Sequence, residues 1–277
     1  MMPGRVTFGR ALLFLTGCLA GCAVLLSPHE AAWQFAVGRG FVDARLPDPH
    51  LKALLRQRQP GGAGHLTIYI ESDGAPWPFR DAPPADPTPL KRTVLAMADA
   101  DPSPLVAYLG RPCQYLEPQA LERCDPLNWT LGRFSPDAVA ATVRAIDALK
   151  RTSGATSLAL VGYSGGGAMA ALVAAARSDV SCLVTLAAPL DTDAWTNAIG
   201  VSRLAASRNP LEVAPQLAGL AQTHFRGRDD RLVPPATAAR FLAQVPAARV
   251  TDLDAVDHTC CWQDAWPRLR ESTCLAR

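Results

Sequence analysis

The stretch Ser157-Leu-Ala-Leu-Val-Gly-Tyr-Ser-Gly-Gly-Gly-Ala-Met-Ala-Ala-Leu-Val-Ala-Ala-Ala-Arg177 constrains the fold more than any other part of the chain. Ser157 to Val161 is a short apolar run, long enough for one buried strand. Gly167 to Arg177 is rich in Ala, with Leu and Met, and reads as a helix. Between them, Gly162-Tyr163-Ser164-Gly165-Gly166 fits Gly-x-Ser-x-Gly. On a sharp turn from strand to helix such a serine is pushed out at the strand's end. Glycines on either side let strand and helix approach without colliding side chains. The competing reading is a Gly-rich connection carrying an idle serine; the flanking strand and helix patterns favour the former.

The chain has 277 residues, of which 49% are apolar. Once the N-terminus is discounted, that suffices for one large α/β domain or one domain with a modest insertion. A formal charge of +2 and the lack of any basic run argue against a nucleic-acid partner. Nothing repeats at a fixed period.

Residues 1–21 read as a secretory signal: Arg5 and Arg10 form a positive start, and Ala11 to Ala20 is apolar but too brief for an ordinary bilayer-spanning helix. Leu15-Thr16-Gly17-Cys18 and Leu19-Ala20-Gly21-Cys22 both resemble the lipobox of bacterial lipoproteins. Cys22 is the preferred lipidation site, because cleavage before Cys18 leaves a short apolar region. The resemblance implies a lipid anchor in the cell envelope, and Ala23 after the cysteine favours the outer membrane. A plain signal peptide is the alternative. Six cysteines then remain, Cys113, Cys124, Cys182, Cys260, Cys261 and Cys274. An even number in an oxidising compartment predicts disulfides rather than metal ligation. Cys113 and Cys124 flank a short Pro-containing loop and form the expected local pair. One option ties Cys274 in the tail to Cys260 or Cys261, but six cysteines allow fifteen connectivities and the sequence leaves the pairing of Cys182, Cys260, Cys261 and Cys274 open. No Cys-x-x-Cys or His-x-x-x-His spacing suggests a metal site.

Residues 22–64 read as an N-terminal linker and lead-in segment, with one or two short strands in Ser27 to Arg45 and a brief helix or loop in Leu46 to Gly64. Residues 65–277 carry the main domain. His65 to Ile70 is a good strand, and the small, turn-forming Ser72-Asp73-Gly74 follows it closely, leaving backbone N–H groups free to face a cleft. A helix is expected in Leu90 to Ala98, a strand in Pro104 to Leu109, and a long amphipathic helix after Ser135-Pro136-Asp137, with Ser135 as cap. Further strands are expected at Cys182 to Ala187, Gln222 to Phe225 and Arg249 to Leu253. Helices are expected at Pro235 to Gln244 and Trp262 to Leu269. A small helical excursion over the sheet's end occupies about 191–220. Strands alternating with helices argue for a mostly parallel sheet wrapped on both faces.

A serine nucleophile needs a base, and a histidine base needs a carboxylate to orient it. Both are available at the ends of later strands: Asp229 and Asp230 follow one, and His258 follows the next. His29 and His50 precede the core, His65 begins a strand, and His224 lies inside a strand as a core residue. Asp252, Asp254 and Asp257 rank below Asp230 as partners of His258.

From about Leu66 to Leu269 the sequence resembles the α/β-hydrolase superfamily. Gly162-Tyr163-Ser164-Gly165-Gly166 is similar to its nucleophile elbow. Gly227-Arg228-Asp229-Asp230-Arg231-Leu232-Val233-Pro234 is similar to its Gly-x-x-Asp-x-x-Val-Pro acid loop, and His258 matches its late histidine by order. The resemblance implies an α/β-hydrolase fold and a Ser164–His258–Asp230 triad, with Asp229 the second choice of acid. It further implies an oxyanion hole built from the N–H of Gly165 and one N–H from Ser72 to Gly74, assigned to Asp73. That loop departs from the family's usual His-Gly pair. The expected activity is hydrolysis of a small-molecule carboxylic ester through an acyl-enzyme, with no cofactor. Peptidase and acyltransferase activities use the same machinery, and a catalytically silent binding lipoprotein on this fold is the non-enzymatic alternative. The Pro76–Pro89, Cys113–Cys124 and Thr192–Leu220 segments are expected to shape the pocket.

Overall fold

The computed structural model describes residues 26–59, 64–75 and 82–276. The proposed signal segment, Cys18 and Cys22 lie outside the described residues. Elements run in the order α1 (Pro28–Val37), β1 (Val42–Asp43), β2 (Ala53–Gln57), β3 (His65–Ile70), α2 (Thr93–Ala100), β4 (Leu105–Leu109) and α3 (Pro118–Leu121). There follow α4 (Pro136–Ser153), β5 (Ser157–Tyr163), α5 (Gly165–Ala175), β6 (Val180–Leu186) and α6 (Thr192–Ile199). The chain closes with β7 (Ala221–Gly227), α7 (Ala239–Gln244), β8 (Arg249–Leu253) and α8 (Trp262–Arg270).

The eight strands form one sheet in the order β1-β2-β4-β3-β5-β6-β7-β8. Strand β2 runs antiparallel to β1 and β4, and the pairs from β4 through β8 are parallel. Side chains alternate between the faces, as the pleat requires. On β5, Leu158 and Leu160 join one apolar layer while Ala159, Val161 and Tyr163 join the other. The first layer is covered by α4, α5 and α7, the second by α1, α2 and α8. Ala168 to Ala174 of α5 are buried, and their small side chains let this helix seat against the sheet. Helix α4 starts as expected, with Ser135 Oγ accepting the Ala138 N–H and Pro136 in the first turn, and it ends on Gly154 with φ +71°.

Two expectations for the N-terminal segment are corrected. Ser27 to Arg45 holds a helix before its short strand: Ser27 Oγ accepts the Glu30 N–H while the Glu30 carboxylate accepts the Ser27 N–H, closing a capping box ahead of α1. Leu46 to Gly64 holds a strand, β2, rather than a helix or loop. Both Nη atoms of its buried Arg56 donate, to the carbonyls of Ala98, Asp99 and Asp101 and to the Asp99 carboxylate, so a cationic residue fits inside a sheet. The excursion contains α6 and a 3-10 segment, Pro210–Leu217. Val213, Ala214 and Leu217 lie in the same apolar layer as α5, so it packs on that helix rather than only over the sheet's end.

Cys113 pairs with Cys124, as expected. Cys274 instead pairs with Cys182, tying the tail to β6, and Cys260 bonds to its neighbour Cys261. The reason is length. Helix α8 separates Cys274 from the Cys260–Cys261 pair by about 13 Å of helix, whereas disulfide partners need Cα atoms within about 7 Å; Cys182 and Cys274 are 5.7 Å apart.

His224 is a buried core residue on β7, as expected, with Nδ1 2.8 Å from Thr185 Oγ1 and Nε2 3.2 Å from Gln222 Oε1. Burial, helped by the nearby Arg226 cation, holds its pKa down to about 4. Unfolded, it titrates near 6.5, so between those values the unfolded chain binds the extra proton and stability rises with pH. This contribution is complete above about pH 6.5 and is lost as pH falls through 4. Denaturant unfolding at pH 7 and pH 4.5 is expected to cost wild type about 2 to 3 kcal/mol more than His224→Gln. Equal losses in the two proteins would contradict the assignment.

Candidate active site

At the C-terminal end of β5 the chain turns sharply into α5, and Ser164 occupies the turn with φ +53° and ψ −129°. A non-glycine residue there is strained and is held by its surroundings. A Cβ on Gly162 would run into the Gly166 carbonyl, and one on Gly166 into the carbonyls of Ile70 and Glu71. The two glycines therefore set how tightly β5, α5 and the end of β3 converge.

Asp230 lies in the turn after β7. Its Oδ1 accepts the N–H groups of Leu232 (2.9 Å) and Val233 (2.7 Å), which aims Oδ2 at His258 Nδ1, 2.7 Å away. His258 sits in the loop between β8 and α8, and its Nε2 is 3.0 Å from Ser164 Oγ. A carboxylate can only accept, so Nδ1 carries the imidazole proton and the Nε2 lone pair faces the serine hydroxyl. The His258 carbonyl accepts from Tyr163 Oη and from Trp262 Nε1, and the Tyr163 ring stacks on the imidazole with centroids 5.5 Å apart. The histidine is thereby held by its backbone, its ring face and both ring nitrogens.

Three of the four rival carboxylates are engaged elsewhere. Asp229 is exposed. Asp252 pairs with Arg226 and Asp254 with Arg228, while Asp257 accepts the N–H groups of Thr259 and Cys260.

The loop after β3 faces the start of α5. Its N–H groups can be assigned one by one. Ser72 N–H donates to Glu71 Oε1 (2.7 Å), Gly74 N–H to Ser72 Oγ (3.4 Å) and Ala75 N–H to the Pro87 carbonyl (3.1 Å). Among the described residues the Asp73 and Gly165 N–H groups have no acceptor. Gly74, with φ +97°, must be glycine, because a Cβ there would strike the Pro87 carbonyl and Gln114. The Asp73 carboxylate lies against Gly165, where a Cβ would collide with it.

Several residues that sequence reasoning missed hold this arrangement. Glu71 is buried and accepts from Tyr108 Oη at 2.7 Å; burial pushes its carboxyl pKa up. Arg111 and Arg133 reach Asp73 from distant segments, and Tyr163 and Trp262 grip His258. Only Tyr163 carried a signal, as the variable residue before the serine. Among the described residues no group of three or more His, Cys, Asp or Glu side chains is placed to hold a metal ion.

No family model matches the sequence, and no curated protein matches it either. Solved structures do match. Est1E from Butyrivibrio proteoclasticus superimposes with a TM-score of 0.59 at 12% identity, over 84% of this chain and 96% of that one. A puromycin hydrolase gives 0.58 at 16% identity, over 84% of this chain but 37% of its own length. Pyrococcus horikoshii acylaminoacyl peptidase gives 0.59 at 12% identity, over 83% and 39% respectively. The chain thus spans little more than a third of the latter two. With the strand order, the turn at Ser164 and these likenesses together, the chain has the α/β-hydrolase fold.

Proposed function

We propose that this protein is an exported serine hydrolase that cleaves carboxylic esters of small molecules through an acyl-enzyme. One observation carries the reading: Ser164 Oγ, His258 and Asp230 form an unbroken hydrogen-bonded chain, and among the described residues the N–H groups of Gly165 and Asp73 have no acceptor. Ser164 Oγ attacks the ester carbonyl carbon while His258 Nε2 takes its proton. Asp230 fixes the imidazole tautomer and stabilises the imidazolium. The carbonyl oxygen, now negative, accepts from the N–H groups of Gly165 and Asp73. Collapse of the tetrahedral species breaks the bond to the alkoxide, which leaves with the proton from His258. Water then attacks the acyl-serine, again giving its proton to Nε2, and the carboxylic acid departs as Ser164 regains its hydrogen. Every proton in this sequence is handled by side chains of the protein, so the cycle needs no cofactor.

Neighbours named as esterases support an ester substrate: the esterase domain of a Rhodothermus marinus protein and a Pyrococcus furiosus esterase superimpose with TM-scores of 0.54 and 0.58. Three cysteine pairs among the described residues suit an oxidising compartment, which supports export and is compatible with a lipid anchor at Cys22. Rates on p-nitrophenyl esters of graded acyl length, matched p-nitroanilides and ester plus alcohol acceptor will test the reading. Ester hydrolysis is expected to exceed anilide cleavage by at least about a hundredfold, with water the preferred acceptor. Faster anilide cleavage or dominant transfer would make it a peptidase or acyltransferase. No turnover of any substrate would favour a binding lipoprotein.

A further inference from the structure

We infer that Arg111 and Arg133 are positioning residues for the oxyanion site: they clamp the Asp73 side chain against Gly165 and so fix the two N–H groups that hold the oxyanion. This rests on the serine hydrolase reading above and adds to it which distant residues build its anion site.

Three parts of the chain meet here. Asp73 comes from the loop after β3, Arg111 from the end of β4, and Arg133 from the turn before α4. Arg111 Nη1 donates to Asp73 Oδ1 at 3.1 Å, and Arg133 Nη1 donates to Asp73 Oδ2 at 2.9 Å. Each carboxylate oxygen therefore has its own guanidinium. The guanidiniums are themselves fixed. Arg111 Nη2 donates to the Arg133 carbonyl, its guanidinium lies over the Phe134 ring, and Arg133 Nε donates to the Thr130 carbonyl at 2.8 Å. Arg111 is buried, and the Arg133 side chain is 11% exposed. Gln114 closes the frame, accepting the Arg111 N–H and donating to the Ser72 carbonyl at 3.0 Å.

Two physical consequences follow. First, the loop is pinned by the side chain of Asp73, which holds in place a backbone N–H that has no acceptor among the described residues. Second, a bare carboxylate beside Gly165 would oppose the negative charge that develops on the substrate oxygen. Two cations in direct contact neutralise it. Burial alone would push the Asp73 carboxyl up, but Arg133 and Arg111 outweigh it and hold the pKa below the ordinary aspartate range, so the clamp stays ionised at neutral pH. Gly165 belongs to the same device, since any side chain there would displace the carboxylate.

The test compares wild type, Arg133→Gln, Arg133→Lys and Asp73→Asn on p-nitrophenyl butyrate, with butaneboronic acid as inhibitor. The boronate forms an anionic tetrahedral adduct on the serine and so reports the anion site directly, and its Ki does not depend on how much of a preparation is folded. Arg133→Gln is expected to lower kcat about 10- to 100-fold and to weaken the boronate by a similar factor, with KM within about threefold. Arg133→Lys, which keeps the charge, should recover at least a third of the lost kcat. Asp73→Asn preserves the packing and serves if Arg133→Gln does not fold; its kcat and boronate affinity should fall together by at least about tenfold. Wild-type kcat and Ki in a folded variant, or a loss confined to KM, overturns the clamp. Failure of the underlying reading looks different: Ser164→Ala would then hydrolyse the ester as fast as wild type, and the boronate would inhibit neither.

Discussion

Ser164→Ala is expected to lower kcat on any ester substrate by about 10⁴- to 10⁶-fold while leaving the fold intact. The expectation comes from the geometry at one turn. The hydroxyl lies 3.0 Å from His258 Nε2, placed to give that nitrogen its proton as it forms the acyl bond. Stability should hold or rise slightly, because alanine removes a polar group from a strained position, with φ +53° set by the meeting of β5 and α5 rather than by the side chain. Circular dichroism and thermal unfolding alongside the kinetics separate loss of chemistry from loss of structure. Residual turnover above about one part in a thousand would assign the nucleophile elsewhere.

Asp230→Asn is expected to lower kcat by about 10⁴-fold with little change in KM. An amide can present its NH₂ group to the imidazole, which favours the tautomer with the proton on Nε2. That nitrogen could then no longer accept the serine proton. Oδ1 of Asp230 already holds the Leu232 and Val233 N–H groups, and an asparagine oxygen can keep both, so the acid loop should remain in place. Asp229→Asn, by contrast, alters an exposed carboxylate and should stay within about twofold of wild type. A large loss in Asp229→Asn with little in Asp230→Asn would reverse the assignment.

The parts of the fold legible in the sequence are those with local signals. Gly162 and Gly166 bracket a serine between an apolar strand and an Ala-rich helix, a pattern that favours a close strand-to-helix turn over an idle Gly-rich connection. β8 lies where expected, and the Ser135 cap starts α4 as predicted. The N-terminal segment was harder because its signals conflict. Ser27-Pro28-His29-Glu30 is a capping box, but Gly38 and Gly40 just beyond it suggest a loop. Arg56 in β2 suggests a surface residue, and only tertiary carbonyls from 98–101 make it a buried one.

The site divides in the same way. Ser164, Asp230 and His258 stand at the ends of strands in a definite order, so they could be named before their contacts were known. The supports of the oxyanion loop could not. Asp73 lies 38 residues from Arg111 and 60 from Arg133, with no spacing to link them. Their meeting depends on β3 lying beside β4 and on the turn that precedes α4, and this is a property of the folded sheet. The same holds for Cys182 and Cys274, which come together only because α8 returns the tail to β6.

The central claim is tested most directly by reacting the protein with a fluorophosphonate and locating the adduct by peptide mass spectrometry. The account predicts one phosphonyl group per molecule, on Ser164, absent from Ser164→Ala and formed far more slowly in His258→Ala. An adduct on another residue, or equal labelling of wild type and Ser164→Ala, would contradict it.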